Sequence, residues 1–94
     1  MNELTIELNQ VNTREELHSL LSSKLGFPDW YGNNWDAFWD MITDTDIVIM
    51  PNRLVVIGFK ELSERLPKDA KTFQECFLEL QQKYPSISCE VIYL

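Results

Sequence analysis

The spacing of apolar and polar residues divides the chain into short strands and amphipathic helices. In Glu3–Leu8 apolar and polar residues alternate, which is the period of a strand with one buried face. The apolar, largely β-branched run Leu54–Phe59 is typical of a strand that is covered on both faces, as in a parallel sheet. A third strand is predicted over Ile87–Leu94, with Val91 and Ile92 at its centre.

Helices are predicted between these strands from apolar spacing and from start and stop signals. Thr13 and Glu16 fit a capping box at the start of the first helix, and Gly26 with Pro28 ends it. Pro67 suits the first turn of the last helix, because its fixed φ and missing N–H cost nothing there. The predicted helices cover residues 14–24, 34–43, 60–66 and 67–83.

The order of these elements is β-α-α-β-α-α-β. Strands that are separated by helical crossovers favour a parallel sheet. We therefore predict an α/β fold with a small three-stranded parallel sheet and about four helices. The chain has 94 residues and shows no repeat or linker, so residues 1–94 are predicted to form a single domain.

The stretch Phe27–Asp46 is both aromatic and acidic. It holds all three tryptophans and six of the eleven aromatic residues of the chain. Between Leu25 and Asn52 there is no lysine or arginine, but there are five aspartates: Asp29, Asp36, Asp40, Asp44 and Asp46. A core favours the rings and a solvated face favours the carboxylates, so both together suggest a surface that binds something positive and flat.

A helical projection separates these side chains by face. Asp36, Asp40 and Asp44 fall on an outward stripe, whereas Trp35, Phe38 and Ile42 fall on an inward stripe and Trp39 lies at the border. The like charges of Asp36 and Asp40 at i, i+4 cost a helix a few tenths of a kcal/mol. Like charges at this spacing are normally avoided, and such an unfavourable arrangement without visible compensation often marks a functional site. Asn33 or Asn34 can cap this helix.

The charge balance favours a basic protein partner. Eight basic and fifteen acidic residues give a net charge of −7, and the pI is about 4.5. Phosphate-backbone binding needs clustered lysine and arginine, so neither nucleic acid nor an anionic membrane is an expected partner. No apolar run reaches the ~18 residues of a membrane helix.

The N-terminus, the cysteines and the histidine indicate no targeting segment, metal site or cofactor site. The first ten residues lack a basic start and a long apolar run, so no signal peptide is expected and the protein is predicted to be cytoplasmic. Cys76 and Cys89 are expected to be reduced, buried thiols, and no motif suggests a metal or a cofactor. His18 is the only histidine, and a solvated or half-packed side chain is expected for it.

Over the eleven residues Trp30–Asp40 (WYGNNWDAFWD) the chain resembles the barstar family, intracellular inhibitors of barnase-type ribonucleases. The shared pattern is an aromatic pair, Gly, any residue, Asn, an apolar residue, Asp-Ala, an apolar residue and Trp-Asp. The resemblance implies that Asp40 is the central anchor in the nuclease active site and that Asp36 pairs with its basic residues. The full set of implied contact residues is Trp30, Tyr31, Gly32, Asn34, Asp36, Trp39, Asp40 and Thr43.

The chain departs from the family in three places, the first being Trp30, where the resemblance implies a tyrosine. Asp44 follows Thr43 where the family continues with Gly-Trp, so a rim aromatic is missing. The family's distal glutamate aligns with Lys71, and Asp69 or Glu75 could substitute for it. These departures weaken the prediction that barnase itself is the partner. They do not affect the prediction that the partner is a basic nuclease.

Three functions remain open. The favoured hypothesis is an inhibitor, or immunity protein, that binds a basic extracellular-type or toxin ribonuclease 1:1. The alternative is a regulatory interaction module with a basic partner that is not a nuclease. An enzyme that uses Asp36 and Asp40 as metal ligands or acid–base groups is disfavoured, because a metal site wants three convergent ligands and no glycine-rich phosphate loop is present. On any of these hypotheses Trp30 and Tyr31 are expected to be exposed, and Trp35 and Phe38 to be core.

Overall fold

Three parallel strands form one sheet in the computed structural model, which describes residues 3–94. They are β1 (Glu3–Glu7), β2 (Arg53–Ile57) and β3 (Glu90–Tyr93), with β2 in the centre. Leu4 pairs with Leu54, and Leu54 pairs with Val91. Met1 and Asn2 lie outside the described residues. They belong to the predicted domain 1–94 and to the ten N-terminal residues for which no signal peptide is expected.

Four helices connect the strands: α1 (Arg14–Leu25), α2 (Trp35–Thr43), α3 (Phe59–Arg65) and α4 (Pro67–Lys83). The predicted α/β class, parallel sheet and β-α-α-β-α-α-β order are confirmed. Among residues 3–94, none of these helices has the length and apolar content needed to cross a bilayer.

Local signals set most of the helix starts. Thr13 accepts a hydrogen bond from the Glu16 amide, and the Glu16 side chain accepts one in return, so the predicted capping box is confirmed. Asn34 caps α2, because its Oδ1 accepts from the Ala37 amide at 2.7 Å. Pro67 opens α4 as predicted.

All three predicted strands extend past the observed ends, by one residue in β1 and by more in β2 and β3. β2 stops at Ile57 because Gly58 adopts φ +82°, where a Cβ would lie 2.7 Å from the Asn9 backbone nitrogen. β3 begins at Glu90 and not at Ile87, because the chain first turns, with the Ile87 amide donating to the Tyr84 carbonyl at 3.1 Å.

The core lies between the sheet and the helices and fixes the position of α2. Phe38 of α2 is fully buried, and its ring lies 6.1 Å from Phe73 and 5.9 Å from Phe77, both in α4. Burying a side chain of this size contributes about 1.5–3 kcal/mol. The inward face of α2 is therefore held against α4, and its other face is left to solvent.

Candidate partner-binding surface

Asp36 and Asp40 project from α2 into solvent, as predicted. Neither carboxylate accepts a hydrogen bond or lies in an ion pair with any of residues 3–94. Asp44, predicted on the same stripe, instead ends the helix, and its Oδ1 accepts from the Asp46 amide at 3.0 Å. The two unpaired carboxylates that face outward are therefore those of Asp36 and Asp40.

A groove of about 530 Å³ runs between α2 and α4. Its acidic side chains are Asp36, Asp40, Glu75 and Glu79, and its aromatic walls are Trp35 and Trp39; we call these six residues the acidic groove. No lysine or arginine of the described chain lines it. Lys83 reaches Glu79 at 3.4 Å by an i, i+4 pair, and the other three carboxylates have no such partner. Apart from the Lys83 contact at Glu79, the described chain therefore supplies no cation to the carboxylates of this groove.

The three residues considered for the distal acidic contact lie in different environments. Lys71 does not line it, and Asp69 is buried, but Glu75 faces Asp36 and Asp40 across the groove. Sequence reasoning missed Glu79. The available signal was its spacing of four residues from Glu75, which places both on one face of α4.

A second depression lies on the other side of Asp40. Trp30, Asp40, Thr43 and Ile47 line it, and we call these four residues the loop depression. Trp30 is 66% exposed, as expected, and Ile47 is 40% exposed. The Thr43 hydroxyl donates to the Trp39 carbonyl at 2.8 Å, so it is tied to the helix. Asp40 is the residue common to the acidic groove and the loop depression.

The expectation that Tyr31 is exposed is wrong. Its side chain is only 8% exposed, and its ring packs 4.8 Å from that of Phe27. The hydroxyl lies 2.7 Å from His18 Nδ1 and donates to the Asn34 carbonyl at 3.3 Å. Burial raises the pKa of Tyr31 well above its ordinary value. Tyr31 therefore holds the loop before α2 in place from inside.

The backbone of this loop has its own hydrogen bonds. Asn34 caps α2 with its Oδ1 and donates from Nδ2 to the Gly32 carbonyl at 3.2 Å. A Cβ at Gly32 would lie 3.2 Å from that Nδ2. Asn33 adopts φ +52°, a conformation that Asn tolerates better than most residues. Gly32 and Asn34 thus have a structural role at the edge of the surface.

The expectation of a solvated or half-packed His18 is also wrong. The side chain is fully buried, and its ring lies 4.6 Å from that of Trp35. The Tyr31 hydroxyl is the hydrogen-bond partner of Nδ1, and Nε2 has no partner among the described residues. Burial lowers the pKa of His18; Asp69 and Glu15 oppose this, and Arg14 adds to it.

The stability of the protein is expected to fall as the pH drops through 6.5, the ordinary pKa of histidine. The unfolded chain takes up a proton at His18 there and the folded chain resists it, so the free energy of unfolding decreases, by at most about 1.4 kcal/mol per pH unit. The decrease from this group ends below the lowered pKa of the folded state. Urea unfolding at pH 7.5 and pH 5.5 measures it. His18→Gln removes the titrating group, and an unchanged slope in that variant would contradict the assignment.

One buried carboxylate joins three helices next to the acidic groove. Asp69, near the start of α4, accepts from Arg14 Nε of α1 at 3.0 Å and from Trp35 Nε1 of α2 at 2.9 Å, both on Oδ1. Trp35 was expected in the core, and it is half-buried, because its ring reaches from this contact to the groove wall. Phe38 is core as expected.

Metal ligation finds no support at this surface. Within residues 3–94 no group of three or more His, Cys, Asp and Glu side chains is arranged to hold a metal ion. Both cysteines are free thiols; Cys89 is buried and Cys76 is half-buried. Burial is the main cause that raises the pKa of each thiol, to about 11.

The parallel three-stranded sheet and the acidic helix that follows the aromatic loop are the features of a small barstar-like protein. Residues 1–91 match the family described as Barstar (barnase inhibitor), so the chain belongs to the barstar family. It is also similar to a Bacillus subtilis (strain 168) protein named "Putative ribonuclease inhibitor YrdF". The two are 35% identical over 83 residues, which are 88% of this chain and 89% of that protein.

Proposed function

We propose that the protein is an inhibitor of a basic ribonuclease and that it blocks the nuclease active site with α2 and the loop before it. The observation that carries the proposal is the acidic groove, which is lined by four carboxylates and by no lysine or arginine of the described chain. Membership of the barstar family supports the ribonuclease as the partner. No residue of the chain is assigned a catalytic role.

The physical basis is mimicry of RNA phosphate. A ribonuclease active site binds phosphate and must therefore present Lys, Arg and His. Asp40 enters that site, because it stands between the acidic groove and the loop depression. Asp36 pairs with a neighbouring cation of the enzyme. Both carboxylates are free to do so, since neither has a partner among residues 3–94.

The two depressions accept different parts of the partner. A lysine or arginine side chain enters the acidic groove, where the faces of Trp35 and Trp39 add cation–π attraction to the charges of Glu75 and Glu79. Trp30 packs on the nuclease surface from the loop depression, and Thr43 borders it. The residues proposed to contact the partner or to support the contact are Trp30, Tyr31, Gly32, Asn34, Asp36, Trp39, Asp40, Thr43, Glu75 and Glu79.

The proposal assigns two members of this set, the buried Tyr31 and the exposed Asn34, an indirect role. Tyr31 and Asn34 fix the loop and the start of α2, so they act through the shape of the surface. We place the protein in the cytoplasm as a 1:1 immunity protein, because an inhibitor of an extracellular-type or toxin nuclease must protect the RNA of the cell that makes the nuclease.

Titrating a basic ribonuclease with the protein tests the proposal. We expect activity to reach its minimum at one equivalent, and the association rate to fall about tenfold or more from 50 to 500 mM NaCl, because salt screens the opposite charges. Barnase and any nuclease encoded next to this protein are the probes. If the protein inhibits none of these nucleases, the proposal is wrong. Salt-sensitive binding of a basic protein that is not a nuclease would favour an interaction module instead.

A further inference from the structure

The contact between Asp69 and Trp35 lies behind the acidic groove. Asp69 is 5% exposed, and its Oδ1 accepts from the Trp35 indole N–H at 2.9 Å and from Arg14 at 3.0 Å. The other side of the Trp35 ring belongs to the groove wall. A buried carboxylate is tolerated where it is paired and hydrogen-bonded, and Asp69 meets both conditions with partners from two other helices.

Apolar packing places α2 on α4, but it constrains the rotation of the helix less sharply than a hydrogen bond does. The helix has nine residues, which is too short to be stable by itself, so its position depends on contacts with the rest of the chain. Phe38 supplies burial, which is non-directional and tolerates small rotations. A hydrogen bond requires a distance and an angle, so the Asp69–Trp35 contact restricts the rotation of the helix at its first residue.

We propose that Asp69 is a positioning residue for the partner-binding surface. Through Trp35 it holds the first turn of α2, and with it Asp36 and Asp40, at a fixed angle to Glu75 and Glu79 of α4. Its ion pair with Arg14 joins α1 to the same point. The consequence for ribonuclease binding rests on the proposed function, but the consequence for α2 does not.

Hydrogen exchange measured by NMR tests the positioning role without any partner. In Asp69→Ala we expect the Trp35 indole N–H and the α2 amides to exchange at least about tenfold faster, with β2 amides within about threefold of the parent. Asp69→Asn keeps an acceptor oxygen of the same shape, so the indole N–H should stay within about threefold of the parent. Glu64→Ala removes an exposed carboxylate of α3 and is the charge-matched control. Equal acceleration in all elements, or none in α2, would overturn the proposal.

A second variant covers the case in which Asp69→Ala does not fold. Trp35→Phe keeps an aromatic ring but removes the indole N–H donor together with part of the ring. The same selective acceleration of the α2 amides is expected, and its absence would overturn the positioning role.

Inhibition of barnase gives the functional readout. Asp69→Ala should raise the inhibition constant about tenfold, mainly through faster dissociation, and Asp69→Asn should recover most of this. If the parent protein does not inhibit barnase, barnase is not the target and the cognate ribonuclease replaces it in this test, whereas the exchange data still decide the role of Asp69. If the parent inhibits barnase and Asp69→Ala inhibits it equally well, Asp69 does not act on the binding surface.

Discussion

Replacing Asp40 with alanine is expected to weaken inhibition of the target ribonuclease by a factor on the order of 10² to 10³. Asp40 stands between the acidic groove and the loop depression, so a bound partner covers it from both sides. Removing it leaves the nuclease cation buried without its counter-charge, which accounts for much of the loss. The range is established on other complexes, barnase–barstar among them, and is borrowed from them.

The Asp40→Ala substitution should not destabilise the folded protein, although it weakens inhibition. Asp36 and Asp40 repel each other at i, i+4, and alanine favours a helix, so the melting temperature should stay the same or rise slightly. Asp46→Ala is the matched control, because Asp46 is exposed, carries the same charge and lines neither depression. Equal losses of inhibition in Asp40→Ala and Asp46→Ala would show that Asp40 acts only through net charge.

The fold could be predicted because its decisive signals are local. Thr13 and Glu16 form their capping box within one turn, and Pro67 starts α4 by its own geometry. Strand ends were less well defined, since β2 ends where Gly58 approaches the Asn9 backbone, a contact across 49 positions of sequence. Periodicity reports which face of an element is buried but not where tertiary contacts stop it.

The burial of the ring systems next to the site was harder to predict. His18 stands at i, i+3 and i+7 with Leu21 and Leu25, which is the buried stripe of α1, so a pattern for its burial was present. Tyr31 lies in a loop, where no periodicity applies. Its burial follows from the space between α1 and α2, and that space exists only in the folded chain.

The site itself was predicted on one side only. The outward direction of Asp36 and Asp40 follows from helical spacing within α2. Glu75, Glu79 and Asp69 come from α4, more than 25 positions later, and meet α2 only because Phe38 packs on Phe73 and Phe77. The resemblance to the barstar family implied a distal acidic residue, aligned it with Lys71 outside the groove, and left Asp69 or Glu75 as substitutes.

Reversing the charges on the α4 side of the groove should nearly abolish binding. In Glu75→Lys/Glu79→Lys the groove keeps Asp36 and Asp40 but gains two cations, so its four negative charges are cancelled. We expect the inhibition constant to rise by at least about 100-fold, mainly through faster dissociation, because the partner's cation then meets like charges at close range. Inhibition titrations and surface-bound kinetics measure the two contributions.

The matched control is Glu7→Lys/Glu64→Lys, which changes the net charge by the same amount away from the groove. Glu7 and Glu64 are exposed, line none of the groove and belong to no ion pair among the described residues. Its effect should be confined to the association rate and stay within about tenfold, since the overall field steers the encounter but does not hold the complex. If both double variants dissociate equally slowly, the nuclease does not place a cation in the acidic groove, and α2 must bind it without help from α4.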